Sequence, residues 1–161
     1  MSVTTVSTNA EELTLTLEAR YAAPPARVWK MFQDPRLLER WWGPPTYPAT
    51  FVAHDLTPGG RSSYFMTGPG GDRPHGWWRI LVVDEPHGLE FESGFADEDG
   101  APVAEAPVMR MRVSLSDLAD GGTEMTIVTS FASPEQMERI LQMGMREGLT
   151  GAVEQIDALL A

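Results

Sequence analysis

The sequence predicts an α+β fold: a curved, seven-stranded antiparallel sheet gripping one long C-terminal helix, with two short helices between strands 1 and 2. Three observations carry this. From residue 49 to residue 131 the chain alternates strand, Gly/Pro-rich turn and strand with no helical insertion, the pattern of antiparallel hairpins. From residue 133 onward, apolar residues recur at three- and four-residue spacing, as on one face of a helix. A sheet with one wet face must then curl to cover a single helix.

Taken in order, residues 1–12 are polar and small, and are expected to fray as a disordered tail. The single domain is expected over residues 13–161, a length at which a domain buries roughly 70% of its unfolded surface. Leu13, Leu15, Leu17 and Ala19 alternate with Thr14, Thr16, Glu18 and Arg20, which reads as a half-buried strand. Pro24 and Pro25 break it. Val28, Trp29 and Phe32 then repeat at helical spacing, Pro35 ends that helix, and a second short helix spans residues 36–41.

Six strands follow, at residues 49–56, 61–67, 76–84, 89–95, 108–117 and 123–131, each closed by turn residues such as Pro58-Gly59-Gly60 and Asp120-Gly121-Gly122. Met109, Met111, Val113 and Leu115 oppose Arg110, Arg112, Ser114 and Ser116. Leu89, Phe91, Ser93 and Phe95 oppose Glu90, Glu92 and Gly94. The strand at 76–84 is apolar on both sides, with Ile80 and Val82 continuing the Trp78 face and Leu81 and Val83 the Trp77 face. An outer apolar patch there needs either the N-terminal tail or a second subunit to cover it, so a homodimer is one expectation.

Ser133, Pro134 and Gln136 start the last helix. Serine caps the N–H of Gln136, glutamine reaches back, and proline takes the first helical position. Met137, Ile140, Leu141, Met145, Leu149, Ala152, Ile156 and Leu159 form its apolar face. Gly144, Gly148 and Gly151 lie on one flank of that face, although a glycine inside a helix costs about 1 kcal/mol. Close approach to another element, a bend, or room for a ligand would each account for them.

Composition excludes several classes. The formal net charge is −11, with twelve basic residues scattered along the chain, which argues against nucleic acid and anionic membrane surfaces as partners. No apolar run approaches the length of a membrane span, and the N-terminus shows no secretory pattern. With no cysteine, thiolate metal sites and cysteine nucleophiles are excluded, and a cytoplasmic setting is expected. His54, His75 and His87 show no ligand spacing, so no metal and no cofactor are expected and turn or surface roles are assigned to them. The Asp97-Glu98-Asp99 loop lacks calcium-loop spacing. Neither a nucleophile elbow nor a phosphate or dinucleotide loop is present.

The motifs Pro25-Ala26-Arg27-Val28-Trp29, Trp41-Trp42-Gly43-Pro44, Pro58-Gly59-Gly60-Arg61, Gly68-Pro69-Gly70-Gly71, His75-Gly76-Trp77-Trp78, Gly121-Gly122-Thr123-Glu124-Met125-Thr126 and Gly144-Met145-Arg146-Glu147-Gly148-Leu149 cover nearly the whole chain from about Leu13. With this order of elements, the sequence resembles the START-like, or SRPBCC, superfamily. Its motifs are similar to the branch named for the C-terminal domain of the heat-shock-protein-90 ATPase activator. Leu149 departs from the pattern, since members often carry tryptophan there. The resemblance implies a helix-grip fold enclosing a cavity for a small hydrophobic or amphipathic molecule. It also implies two alternatives: an enzyme related to polyketide cyclases or hydrolases, or a chaperone-cofactor interaction module. The eukaryotic co-chaperone has a further N-terminal domain that this chain is too short to contain.

Strand parity puts Phe51, Tyr64, Met66, Trp78, Phe91, Met109 and Met111 on the concave face, opposite Leu141, Met145 and Leu149 of the helix. Trp41 and Trp42 diverge from one helix end, one to anchor it on the sheet and the other to cap a cavity entrance. For each of these residues a plain packed core is the competing reading. Methionines that repack around varied ligands and flat aromatic walls favour a pocket. Without a recognisable catalytic set, binding without transformation is the leading expectation. An enzyme would need Tyr64 paired with a histidine or carboxylate inside the cavity.

Overall fold

Strand pairing starts earlier than the sequence reading placed it. In the computed structural model, which describes residues 2–161, β1 (Val3–Asn9) pairs antiparallel with β2 (Thr14–Tyr21). The stretch expected to fray therefore contributes a strand, and the sheet has eight strands rather than seven. Its valines and threonines suit a pleated backbone. Asn9 closes the hairpin by accepting from the Glu11 and Glu12 N–H groups, each at 3.0 Å.

After β2 come α1 (Pro25–Gln33) and α2 (Pro35–Leu38), each opening on a proline, with the Asp34 carboxylate capping Arg36 N–H at 2.9 Å. β3 (Ala49–His54), β4 (Arg61–Met66), β5 (His75–Asp84), β6 (Gly88–Ala96), β7 (Val108–Asp117) and β8 (Thr123–Ser130) complete the sheet. Its order is β1-β2-β8-β7-β6-β5-β4-β3, antiparallel throughout. The sheet is curved and unclosed, with β1 and β3 at its edges.

The β3 edge is covered. Phe51 donates its N–H to Glu39 Oε2 at 3.0 Å, and its carbonyl accepts from Arg36 Nη2 at 2.9 Å. Two side chains of the α2 segment thus replace a neighbouring strand, one of the ways an exposed edge is blunted.

The expected long helix is broken. It runs as α3 (Pro134–Gln142), α4 (Met145–Val153) and α5 (Ile156–Leu160). Gly144 interrupts it at φ +89, a left-handed conformation open to glycine at little cost. The Ser133 cap is present, with Gln136 N–H bonded to Ser133 Oγ at 3.1 Å, while Gln136 Oε1 reaches past the Ser133 N–H to accept from Ala132 N–H at 2.7 Å.

A bulge corrects the reading of β5. Ile80 pairs with Phe91 and Val82 with Glu90, so Leu81 is the extra residue and the parity flips behind it. Val82 is exposed, while Val83 turns in against the core. The outer face thus carries Val82 in place of Val83. Trp77 lies across the neighbouring strand: a Cβ on Gly94 would come within 2.7 Å of its ring. Its indole N–H donates to Phe95 O at 3.1 Å, and Gly100 and Pro102 of the loop after β6 flank it. The N-terminal segment pairs with β2, on the far side of the sheet from β5, and does not provide that cover.

Candidate functional site

A cavity of about 350 Å³ opens between the concave face of the sheet and the break in the C-terminal helix. Register explains its floor. On one cross-strand row Phe51 faces Tyr64, Tyr64 faces Gly76, and Gly76 faces Phe95. On the next, Trp78 faces Ser93 and Ser93 faces Met109. These rows put Tyr64, Ser93, Phe95 and Met109 on the cavity wall, where Met66 and Met111 of neighbouring rows join them. Gly76 makes room for Tyr64, since a Cβ there would lie 2.4 Å from the phenol oxygen. The helix side supplies Ile140, Met143, Gly144, Met145, Gly148 and Leu149, and Trp42, Pro44 and Pro74 close the ends.

Of the residues proposed from sequence, Trp42, Tyr64, Met66, Met109, Met111, Met145 and Leu149 line this space. Trp41, Phe51, Trp78 and Phe91 do not. They form the packed aromatic cluster behind it, with Trp78 stacked on Phe91 at 4.1 Å and Phe51 on Tyr64 at 5.0 Å. Trp41 is the anchor of the tryptophan pair: it is fully buried and its indole N–H donates to Met31 O at 2.8 Å. Trp42 meets Trp41 edge-on at 5.7 Å and Trp78 at 4.8 Å, and reaches the cavity.

Leu141 points elsewhere, into a separate hollow under the β1–β2 turn with Leu13, Met137 and Pro134. A wide apolar stripe carried both Ile140 and Leu141, and only the curvature of the sheet decides that Ile140 faces the cavity. Ser93 and Phe95 share the parity of Phe91, so strand alternation already signalled them. Met143, Pro44 and Pro74 come from turns, where periodicity carries no signal.

The glycine stripe has mixed causes. Gly144 makes the bend. A Cβ on Gly148 would meet nothing within 4 Å, so this glycine leaves open space beside the cavity it lines. Gly151 approaches Pro44 and Pro45, where a Cβ would lie at ordinary contact distances of 3.9 and 3.8 Å.

The lining is uncharged. Tyr64, Ser93 and Trp42 are its hydrogen-bonding side chains. Burial pushes the Tyr64 phenol up, and the Trp42 indole and Ser93 hydroxyl beside it moderate that rise. The phenol therefore stays protonated. Trp42 Nε1 is buried without a partner in hydrogen-bond geometry.

His54 is not the surface residue expected. Nε2 meets Phe32 O at 2.7 Å and Nδ1 meets Ser62 Oγ at 2.7 Å. A carbonyl only accepts, so Nε2 carries the proton, and the Ser62 hydroxyl donates to Nδ1 of the neutral ring. Burial lowers the pKa of this imidazole. It tethers α1 to β3 and β4 and stands outside the cavity lining. His87 does lie in a turn, bonded to Asp117 Oδ2 at 3.2 Å, whereas His75 opens β5 between β4 and β6 and is bonded to Arg73 O at 2.8 Å. Asp97 closes its own hairpin tip by accepting from Asp99 and Ala101 N–H groups. Among the described residues, no group of His, Asp or Glu side chains is placed to hold a metal ion, and no helix is long and apolar enough to cross a membrane.

A curved antiparallel sheet, two short helices after its second strand and a C-terminal helix over a cavity define the SRPBCC class. Within it, the family model described as Activator of Hsp90 ATPase homolog 1-like protein matches residues 22–161, and the chain belongs to that family. Protein Ms6760 from Mycobacterium smegmatis, known from a crystal structure, is 49% identical with a TM-score of 0.91, covering 99% of this chain and 97% of its own. A protein from Arthrobacter aurescens, solved in solution by NMR, is 48% identical with a TM-score of 0.94, covering 99% and 92%. A Rhodobacter sphaeroides protein shares the fold at 23% identity and a TM-score of 0.81, covering 97% of each chain. Comparison with curated proteins finds no match.

Proposed function

We propose that this protein binds a small hydrophobic or amphipathic molecule in the cavity between sheet and C-terminal helix, without transforming it. The observation that carries the reading is the lining itself. Met66, Met109, Met111, Met143 and Met145 surround about 350 Å³ beside a helix break, a volume near the lower end for small-molecule sites. Flexible thioethers repack around ligands of differing shape, which fits broad selectivity.

The cyclase or hydrolase alternative needs an acid–base partner for Tyr64. No histidine or carboxylate lines the cavity, and both ring nitrogens of His54 are engaged elsewhere. The chaperone-cofactor alternative is supported by the family description and expects an interaction surface with little or no cavity, so the open space weighs against it.

The test is gentle purification from the native host, mass spectrometry of organic extracts, and titration of tryptophan fluorescence with aromatic and acyl compounds. A co-purifying compound and saturable quenching at stoichiometric ligand are expected. An empty extract together with no fluorescence response would sink the reading, and capture of a chaperone from host lysate would then favour the interaction module.

A further inference from the structure

The polar groups of the cavity specify more than an apolar guest. Trp42, Tyr64 and Ser93 are each at least nine-tenths buried, at 9%, 8% and 4% exposure, and the indole and the serine hydroxyl lie beside the phenol. We propose that the cavity selects a neutral, mostly apolar molecule carrying a ketone-type carbonyl, which accepts hydrogen bonds from Tyr64 Oη and Ser93 Oγ. This rests on the binding reading above and adds the chemistry of the ligand's polar end.

Donor counting leads to the acceptor. An indole N–H can only donate, whereas the two hydroxyls both donate and accept. Trp42 Nε1 has no partner in hydrogen-bond geometry, and the three groups carry three donor protons of which at most two can be taken up among themselves, so at least one is left for a guest. No carboxylate or amide side chain lines the cavity to receive these protons. The guest must therefore bring the acceptor.

Charge excludes the anionic acceptors. A carboxylate buried where no arginine, lysine or histidine lines the wall is an uncompensated charge, which costs far more than two neutral hydroxyls return. The phenol keeps its donating proton across the working pH range, because burial raises its pKa. The surrounding methionines hold the remaining, apolar part of the guest.

The experiment uses three probes of matched shape on the full chain: 2-acetonaphthone, 2-naphthoate and 2-ethylnaphthalene. Calorimetric titration gives affinity, and methyl NMR shifts of Met109, Met111 and Met145 locate each probe. The ketone is expected to bind roughly tenfold or more tightly than the carboxylate. Tyr64→Phe, and separately Ser93→Ala, should each weaken the ketone about three- to tenfold more than the hydrocarbon. If the hydrocarbon binds in the cavity but the carboxylate equals or exceeds the ketone, or if neither variant discriminates, the carbonyl assignment is overturned and the binding reading survives. If no probe binds and no methyl moves, both are overturned.

Discussion

The Gly148 N–H donates to the Gly144 carbonyl at 2.9 Å, so two glycines that look alike in the sequence bracket the first turn of α4 with opposite requirements. Gly144 needs its left-handed backbone, at φ +89. Gly148 has no such need, and nothing stands within 4 Å of where its Cβ would be. The first sets the direction in which the helix leaves the cavity mouth. The second determines how much space remains inside.

Substitution separates them. Gly144→Ala puts a side chain into the left-handed region and should lower unfolding stability by about 1–2 kcal/mol. Gly148→Ala removes backbone freedom from the unfolded chain and should raise stability by about 0.5–1 kcal/mol. Urea unfolding at fixed pH reads both. Equal losses at the two positions would mean that Gly148 is held by packing and does not border open space.

A larger residue at the second glycine tests occupancy. Gly148→Leu projects a branched side chain into the cavity and should abolish saturable binding of an aromatic probe, with the unfolding midpoint unchanged or higher. Tryptophan quenching and urea unfolding on the same sample give the two answers. Unaltered binding by a folded variant would place the ligand outside this cavity.

Most of the fold was legible because its signals are local. The alternation of Leu15, Leu17 and Ala19, the turns between strands and the Ser133 cap are each written within a few residues. What escaped depends on distant partners. Val3–Asn9 becomes a strand because β2 offers an edge. Leu81 becomes a bulge because β6 pairs around it. The site divided along the same line. Parity put Tyr64, Met109 and Met111 on the right face, but the depth of Trp78 and Phe91 in the aromatic stack depends on the curvature of the sheet and on Trp42 from the loop. Helical spacing likewise left Ile140 and Leu141 equivalent until the sheet separated them.

The half-buried imidazole makes stability depend on pH. His54 is held neutral between Phe32 O and Ser62 Oγ, and burial lowers its pKa from the ordinary 6.5. Below about pH 6.5 the unfolded chain takes up a proton that the folded chain still refuses, so stability falls as pH falls toward the folded-state value. Above pH 6.5 the contribution is complete. His54→Gln keeps a donor for Phe32 O and removes the titration. Unfolding measured from pH 5 to 8 should show a steeper acid-side decline in the native protein than in the variant, by up to one proton. Parallel profiles would mean that His54 protonates freely in the folded state.

On the same edge strand, Glu39 and Arg36 occupy the main-chain groups of Phe51 that a further strand would otherwise pair. Phe51 is buried against Tyr64 and Trp78, so an amide left open there loses water as well as its partner. Glu39→Ala should cost about 1–3 kcal/mol, the range for leaving a buried donor unsatisfied. It also removes the carboxylate 3.5 Å from Arg36 that helps hold the guanidinium over the Phe51 carbonyl. Glu39→Gln retains an acceptor oxygen and should lose less than half as much. Native-state hydrogen exchange discriminates further: the Phe51 amide should exchange faster in the alanine variant while the β5–β6 amides stay protected. If the Phe51 amide is equally slow in both variants, backbone burial protects it and the carboxylate does not.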